Sequence, residues 1–241
     1  CHAANRKYRF FHFHRSGLQF CQIQSITDKV CQSIRLIQNH PHMFFPFLRN
    51  FPGKKLIVSE STSALMTRGY YEMPSDHIYI RPESWDKPFE APEHVCSSYD
   101  NCHVPWGSTH EKTWHLVKTL PHVSGLFVWT GFDYLGEPTP YWWPSRSSFF
   151  GIVDLAGFPK DVYYMYKSEW TDEPVLHIFP HWNWKVGEPV DIWAYYNNAD
   201  EVELYLNGKS LGVQQKTDST YHVSWRVPFT PGTLRAVSRL G

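Results

Sequence analysis

Residues 55–61 of the chain read Lys-Leu-Ile-Val-Ser-Glu-Ser. Three consecutive branched apolar residues predict a short strand that is buried on both faces, as in a parallel sheet. The run stops at a polar triplet that contains one carboxylate, Glu60. In α/β folds the C-terminal ends of strands carry the loops that form active sites. The pattern makes Glu60 a candidate catalytic residue, and the alternative is an exposed loop carboxylate.

The composition restricts the classes of protein to which the chain can belong. Its 241 residues, 42% of them hydrophobic, are enough for one substantial core or two smaller ones. The formal net charge is zero, so no overall field attracts nucleic acid or an anionic membrane. No run of about 18 apolar residues is present to span a bilayer. Aromatic residues make up 17%, which favours sugar binding because the apolar face of a pyranose stacks on a ring.

The cysteines and the N-terminus give little direct information about function. The spacing of the five cysteines predicts neither a disulfide framework nor a metal site. The chain starts without Met and shows no signal peptide, which is typical of a fragment. The cysteines are Cys1, Cys21, Cys31, Cys96 and Cys102.

Residues 1–50 differ in character from the rest of the chain. They contain seven basic residues and one acid, Asp28, whereas the remaining residues carry the compensating negative charge. The spacing of apolar residues over 25–38 predicts a helix. We interpret this segment as atypical and hypothesise that part of it comes from a shifted reading frame. An alternative is a basic arm that binds a partner.

Residues 51–172 read as strand, long loop, helix and strand. Ser108 and Glu111 form a capping-box pattern that predicts a helix beginning at Ser108 and ending before Pro121. Residues 125–129 predict a second buried strand. A βαβ order of this kind requires a parallel sheet. A further helix is predicted from Pro159 to about Trp170.

After residue 172 the apolar period changes from helical to alternating. Strands are predicted over 175–179, 190–196, 202–206, 221–227 and 234–237. Asn207-Gly208 between two apolar runs is a strong hairpin signal. Residues 173–241 therefore predict an antiparallel, immunoglobulin-like β-sandwich.

Several motifs, taken in order, resemble glycoside hydrolase family 2, which contains β-galactosidases and β-glucuronidases. The resemblance covers about residues 51–241 and is closest to the Bacteroidetes-type branch with a C-terminal sandwich domain. The motifs that carry it are IVSES at 57–61, SYD at 98–100, VPWG at 104–107, WTGFDYLGEPTP at 129–140, FGIVDLAGFPKD at 150–161 and VELYLNG at 202–208.

The resemblance implies a fold and a reaction. The fold is the last part of a (β/α)8 TIM barrel, with its seventh strand ending at Glu60 and its eighth near Trp129, followed by the β-sandwich. The reaction is retaining hydrolysis of a glycoside, which requires two carboxylates. Glu60 matches the nucleophile. The family's acid/base belongs to an Asn-Glu pair on an earlier strand, and residues 1–50 contain no Glu, so the isolated chain is expected to be inactive.

The resemblance also suggests substrate contacts at the same sheet edge. Trp129 matches the tryptophan that forms the floor of the sugar subsite. Trp106 is a further candidate for this pocket, as are Trp142-Trp143, with packing as the alternative role. Asp133 is a candidate substrate-binding residue, although a structural role is expected for it, as for the other two rim carboxylates, Asp100 and Glu137.

One local difference from relatives narrows the range of substrates that is expected. Glucuronide-cleaving relatives carry an Asn-x-Lys in which the Lys pairs with the sugar carboxylate. Ser148 and Phe150 stand at those positions here. A neutral sugar, first of all a terminal β-galactoside, is therefore expected, with another neutral β-glycoside as the alternative. Phe150 also replaces a sodium ligand of relatives, so no metal and no cofactor is predicted. Lys160 is a cation close in sequence to these positions, and at a helix start it is expected to cap or pack.

The alternative class is a non-catalytic carbohydrate-binding or scaffold protein. Its sugar contacts would come from Trp182, Trp184 and Trp193, although core packing is the preferred interpretation of these residues. The expected partner is a carbohydrate substrate, without nucleic acid or membrane. The resemblance implies a periplasmic or secreted location, and the oligomeric state is not predicted.

Overall fold

The structure is a computed structural model that describes residues 8–14, 17–23, 35–38, 49, 53–84, 89–91 and 93–241. Two helices lie entirely within these ranges, α1 (His110–Thr119) and α2 (Asp161–Trp170). The longer strands of the N-terminal part are β1 (Tyr8–His14), β2 (Gly17–Ile23), β3 (Arg35–Gln38), β4 (Leu56–Thr62) and β7 (Val123–Trp129). A two-stranded ladder between them consists of β5 (Tyr79–Ile80) and β6 (Cys102–His103).

The five longer strands form one mixed sheet in the order β1-β2-β7-β4-β3. β3, β4 and β7 run parallel, with Ile37 opposite Val58 and Thr62 opposite Trp129. β2 joins the other edge of β7 in the antiparallel direction. The predicted β4-α1-β7 unit is therefore confirmed. This sheet does not show a (β/α)8 barrel, because the neighbour of β7 is antiparallel, and the barrel stays a prediction.

The helix predicted over residues 25–38 is wrong at its C-terminal end. Arg35–Gln38 is strand β3, because Leu36 and Ile37 pair with the edge of β4 and this tertiary contact overrides a local helical spacing. Residues 24–34 lie outside the described residues. The hypothesis of a shifted reading frame is not tested.

The start of α1 also differs from the prediction. The N-cap is Thr109, whose hydroxyl accepts a hydrogen bond from the Lys112 amide at 3.3 Å. The predicted cap, Ser108, is buried, and its hydroxyl has no hydrogen-bond partner among the described residues. The first two amides of α1 are instead satisfied by Asp100, whose oxygens accept from His110 at 2.8 Å and Glu111 at 2.7 Å. A carboxylate from the preceding loop thus takes the place of the predicted capping box.

The helices cover the parallel strands and bury a common core. Leu56, Val58, Leu126 and Val128 of the two strands pack in one cluster with side chains of both helices. The helical members of this cluster are Trp114, Val117, Val162, Met165 and Tyr166. Burial of each such side chain contributes about 1.5–3 kcal/mol, so this layer stabilises the strand ends that carry the candidate residues.

The C-terminal part is the predicted β-sandwich. One three-stranded sheet has the order β12-β9-β8 and the other the order β11-β10-β13. The strands are β8 (Leu176–Phe179), β9 (Pro189–Tyr196), β10 (Glu201–Leu206), β11 (Lys209–Gln214), β12 (His222–Pro228) and β13 (Leu234–Arg239). The hairpin at Asn207-Gly208 is confirmed, and both residues have positive φ, 52° and 78°.

The sandwich shares a core with the helical part. Phe179, Trp193 and Tyr195 of the sandwich belong to the same buried cluster as the helices. The Trp193 indole also donates to Ser75 at 2.9 Å. In the described residues no helix is long and apolar enough to cross a membrane.

Candidate active site

Glu60 and Trp129 lie at the same edge of the sheet. Glu60 is two residues from the end of β4, and Trp129 is the last residue of the neighbouring parallel strand β7. Both side chains are partly exposed, whereas the strand residues that precede them are largely buried. The parallel register therefore brings the predicted nucleophile and the predicted sugar floor together.

Tyr134 connects these two residues to a second carboxylate. Its ring lies edge-on to Trp129, with centroids 5.8 Å apart, and its hydroxyl donates a hydrogen bond to Glu137. Burial, this hydrogen bond and the negative charges of Glu137 and Glu60 raise the pKa of the Tyr134 phenol, against a hydrogen bond with Trp129. Sequence reasoning gave Tyr134 no role, although its place in the motif at 129–140 was a usable signal.

The loop that carries Trp106 is held against the end of β4. The Ser108 amide donates to the Thr62 carbonyl at 2.9 Å, and the Val104 amide donates to the Ser63 carbonyl at 3.2 Å. A Cβ atom on Gly107 would lie 2.7 Å from each of these carbonyls, so only glycine permits this approach. The geometry therefore fixes the Trp106 loop directly after Glu60.

The three candidate aromatic residues rest on one apolar cluster. Trp106, Trp129 and Tyr134 pack, partly buried, against the same fully buried side chains. Those side chains are Leu65, Cys96, Cys102, Val104, Tyr141 and Phe150. A packed support of this kind limits the freedom of the rings before any ligand arrives.

Asp133, in the same motif as Trp129, forms a buried ion pair. One of its oxygens is 2.7 Å from the Lys160 ammonium, and the other accepts from the Gly151 amide at 2.8 Å and from the Ser148 hydroxyl at 3.4 Å. Burial raises the pKa of Asp133 and lowers that of Lys160, and their attraction offsets part of both shifts. These contacts are all to protein, which favours a supporting role, and sugar contact by Asp133 stays a prediction.

Lys160 is engaged on every side that the structure describes. Its ammonium donates to the Met66 carbonyl at 2.7 Å and to the Phe149 carbonyl at 3.3 Å, in addition to the Asp133 pair. The side chain is 1% exposed. Lys160 is the N-cap residue of α2 but makes no side-chain capping bond, so it packs rather than caps.

A buried histidine fixes the end of β4 to both helices. The Nδ1 atom of His110 in α1 lies 3.1 Å from the Thr62 hydroxyl and 2.8 Å from the hydroxyl of Tyr166 in α2. Burial, and then the charge of Lys160, lowers the pKa of His110 to about 3. The imidazole is therefore neutral near pH 7 and acts as scaffold.

The remaining predicted residues divide between surface and core. Trp142 and Trp143 are exposed, whereas Ser148 and Phe150, at the positions of the relatives' Asn-x-Lys, are each 1% exposed. Among the described residues, no group of three or more His, Cys, Asp or Glu side chains is placed to hold a metal ion.

Solved structures with this arrangement define the class of protein. A β-glycosidase from Bacteroides vulgatus superposes with a TM-score of 0.73 and 32% identity, over 85% of this chain and 29% of that one. A β-glucuronidase from glycoside hydrolase family 2 gives a TM-score of 0.56 at 21% identity, over 86% of this chain and 20% of that one, and shows the fold alone. The fold is one used by hydrolases of β-glycosides.

The sequence relatives identify the family. Beta-galactosidase BoGH2A of Bacteroides ovatus is 64% identical over 190 residues, which are 79% of this chain and 22% of the relative. A beta-glucuronidase of Formosa agariphila is 35% identical over 187 residues, 73% of this chain and 18% of the relative. A profile described as a domain of unknown function, DUF4982, matches residues 187–241. The chain belongs to glycoside hydrolase family 2, and it spans about a fifth of the length of these curated relatives.

Proposed function

We propose that the chain supplies the nucleophile, Glu60, and part of the sugar subsite of a retaining glycosidase that removes terminal β-galactosyl residues. The observation that carries this proposal is the placement of Glu60 and Trp129 at the ends of adjacent parallel strands. Glu60 attacks the anomeric carbon to form a glycosyl-enzyme, and the sugar's apolar face stacks on Trp129.

The second carboxylate of the reaction is proposed to come from another segment of the full-length protein. Retaining hydrolysis requires an acid/base about 5–5.5 Å from the nucleophile. Asp133 is committed to Lys160, and Asp100 is committed to the N-terminus of α1. Of the described carboxylates, these two are excluded by their partners, and Glu137 is engaged by Tyr134. The 241-residue chain alone is therefore expected to be inactive.

Preference for a neutral sugar is supported at the two positions where glucuronide-cleaving relatives carry Asn-x-Lys, and at Lys160. A β-glucuronide needs a cation that is available to its carboxylate. Ser148 and Phe150 supply none and are buried, and the ammonium of Lys160 is held by Asp133 and two carbonyls. Recruiting Lys160 would leave the Asp133 carboxylate buried without its partner, which costs several kcal/mol.

The alternative of a sugar-binding sandwich is not favoured by its tryptophans. Trp193 is 5% exposed, and the ring of His222 stacks on it at a centroid distance of 3.5 Å. Trp182 and Trp184 pack against the second core cluster, and their indole N–H groups donate to protein carbonyls at 3.1 and 2.7 Å. This packing is consistent with the interpretation of Trp182 and Trp184 as sandwich core, whereas Trp193 packs in the core that the sandwich shares with the helices.

The test is covalent labelling of the full-length protein that contains this chain. A galacto-configured, mechanism-based inhibitor should attach to the peptide that contains Glu60, as located by mass spectrometry. Glu60→Gln should lower kcat on an aryl β-galactoside by at least about a thousandfold. Glu173→Gln, at an exposed ion pair with Lys167, is the matched control and should keep activity. A label on another carboxylate, or an active Glu60→Gln variant, would show that the proposal is wrong.

A further inference from the structure

Trp142 and Trp143 form an exposed apolar patch beside the candidate site. They are 72% and 73% exposed, and Leu135, on the facing arm of the same loop, is 76% exposed. Adjacent bulky apolar side chains left on the surface in this way are a mark of a binding site. The patch is distinct from the half-buried rings of Trp106 and Trp129, which rest on the apolar cluster.

The two arms of the loop that carries the patch are joined by successive backbone hydrogen bonds, which form a short ladder that begins at the site. The Ser148 amide donates to the Tyr134 carbonyl at 2.8 Å, and the Gly136 amide donates to the Arg146 carbonyl at 2.7 Å. Tyr134, at the base of the ladder, contacts Trp129. The patch therefore lies on the same loop as the proposed sugar subsite, but one level further out.

The end of the loop is held in place by contacts below the patch. Tyr141 is 3% exposed, and its hydroxyl donates to the Val95 carbonyl at 2.5 Å. The Ser145 amide donates to the Trp142 carbonyl at 2.9 Å, and the Ser145 hydroxyl lies 2.8 Å from a ring nitrogen of His94. The backbone under the two indoles is thus fixed, so less conformational entropy of the loop is lost when a ligand binds.

The polarity of the patch favours a sugar over an apolar protein partner. The guanidinium of Arg146 lies over the ring of Trp143 at 4.4 Å, and among the described residues no acceptor is assigned to its hydrogen-bond donors. A pyranose offers the matching chemistry, since it has an apolar face for an indole and hydroxyl groups for the guanidinium. A purely apolar partner would bury the guanidinium at a cost.

We propose that Trp142 and Trp143 form a platform for the leaving-group sugars of an oligosaccharide substrate. This inference rests on the proposed function. If the terminal sugar lies on Trp129, the part of the substrate that reaches past the base of the loop toward solvent is the leaving group. The platform then selects galactosylated oligosaccharides over galactosides with a small leaving group.

The experiment compares two substrates on the full-length enzyme that contains this chain. Trp142→Ala, Trp143→Ala and the double variant are assayed on an aryl β-galactoside and on a β-galactosyl oligosaccharide. The ratio of kcat/KM for the oligosaccharide to that for the aryl substrate should fall at least about tenfold in the double variant, a change of about 1.4 kcal/mol, because both rings lose their stacking contact with the leaving-group sugars. Phe158→Ala is the matched control, because Phe158 is also an exposed ring, 56% exposed, under an arginine, Arg68 at 4.9 Å.

The outcomes separate this inference from the proposed function. An equal loss on both substrates would mean that the two tryptophans pack against another segment of the full-length protein, and the inference would be wrong. An unchanged ratio would overturn it as well. If the wild type cleaves the oligosaccharide alone, the loss of kcat/KM on that substrate in the double variant replaces the ratio. If it cleaves neither substrate, the proposed function fails, and equilibrium binding of the oligosaccharide to wild type and double variant then decides the inference alone. Binding that is equal in the two proteins would refute it.

Discussion

The two parts of the chain place their tryptophans in opposite ways. In the sandwich, Trp193 and Trp225 are 5% and 6% exposed, Trp193 in the core shared with the helices and Trp225 in the core between the sheets. At the strand ends of the mixed sheet, Trp106 and Trp129 are half-buried, and Trp142-Trp143 is exposed. The described tryptophans of the sandwich are packed against protein, whereas the strand ends leave aromatic surface exposed. The same residue type thus stabilises one region and, under the proposed function, binds sugar in the other.

The charged groups differ between the regions in a similar way. In the sandwich, Arg239 pairs with Glu203 at 2.6 Å on a partly exposed sheet face. Behind the site, Lys160 and Asp133 are 1% and 9% exposed. A surface pair contributes little to stability, whereas loss of one member of a buried pair is costly. Removal of one partner is therefore expected to cost more stability at the Lys160–Asp133 pair than at the Arg239–Glu203 pair.

The largest change in stability is expected from Lys160→Met, which removes the buried cation. The variant leaves the Asp133 carboxylate buried without its cation and should lower the free energy of unfolding by about 3–5 kcal/mol. Urea denaturation followed by tryptophan fluorescence measures it. Arg239→Met, the surface counterpart, should cost less than about 1 kcal/mol. Adding Asp133→Asn to Lys160→Met should restore part of the loss, and strictly additive effects would contradict the coupling.

The second-largest effect is expected in the pH dependence of stability, and it comes from Asp100 at the start of α1. Burial, and then the charge of Glu111, raises the pKa of Asp100 to about 7 from the ordinary value of 3.8. Between these pH values the folded chain keeps a proton that the unfolded chain has lost. The free energy of unfolding should therefore fall as pH rises from about 4 to 7, by about 1.4 kcal/mol per unit of pKa shift at most.

Asp100→Asn tests this assignment because it removes the titrating group. Denaturation of wild type and variant at several pH values should show a slope that is smaller by about one proton in the variant. Asp172→Asn, at an exposed carboxylate, is the control and should leave the slope as it is. An unchanged slope in Asp100→Asn would assign the dependence to another group.

A smaller effect is expected at Gly107, where the backbone of two segments comes into contact. Gly107→Ala places a methyl group 2.7 Å from two carbonyl oxygens and should destabilise the fold by about 1–3 kcal/mol. Because the displaced loop carries Trp106, KM for the aryl galactoside should also rise in the full-length enzyme. Loss of stability with an unchanged KM would remove Trp106 from the subsite.

The smallest effect is expected at Gly187 in the sandwich, which gives the contrasting case. Its Cβ would meet nothing within 4 Å, and its φ of +84° alone favours glycine. Gly187→Ala should cost about 1 kcal/mol through backbone strain and leave both kcat and KM unchanged. A change in kcat or KM would mean that the sandwich contributes to the site.

The sequence was sufficient where the signal was local. The apolar run at 55–61, the strand at 125–129 and the helix that ends at Trp170 follow from periodicity, and the structure confirms them. β11 went unpredicted because Lys209–Gln214 is polar and largely exposed, so it lacks the alternation of a half-buried strand. β3 was read as a helix because its pairing with β4 is not encoded in its own spacing.

The candidate site could be predicted only in part, for the same reason. Glu60 and Trp129 can be selected from the sequence because each stands at the end of an apolar run that predicts a strand. The pair of Asp133 and Lys160 joins residues 27 positions apart in sequence, and the Asp100 cap reaches α1 from a preceding loop. Contacts of this kind depend on the tertiary fold, and no local pattern of residues predicts them.

The neutral imidazole of His110 restricts how the hydrogen atoms of the neighbouring hydroxyl groups can be oriented. A single ring hydrogen and the hydroxyl hydrogens of Thr62 and Tyr166 must orient among three residues on β4, α1 and α2. With its pKa lowered to about 3, the ring neither gains nor loses charge across the neutral range. The contacts that the His110 ring makes with Thr62 and Tyr166 therefore stay the same across the neutral range, and His110 is not expected to contribute to a pH–rate profile of the full-length enzyme.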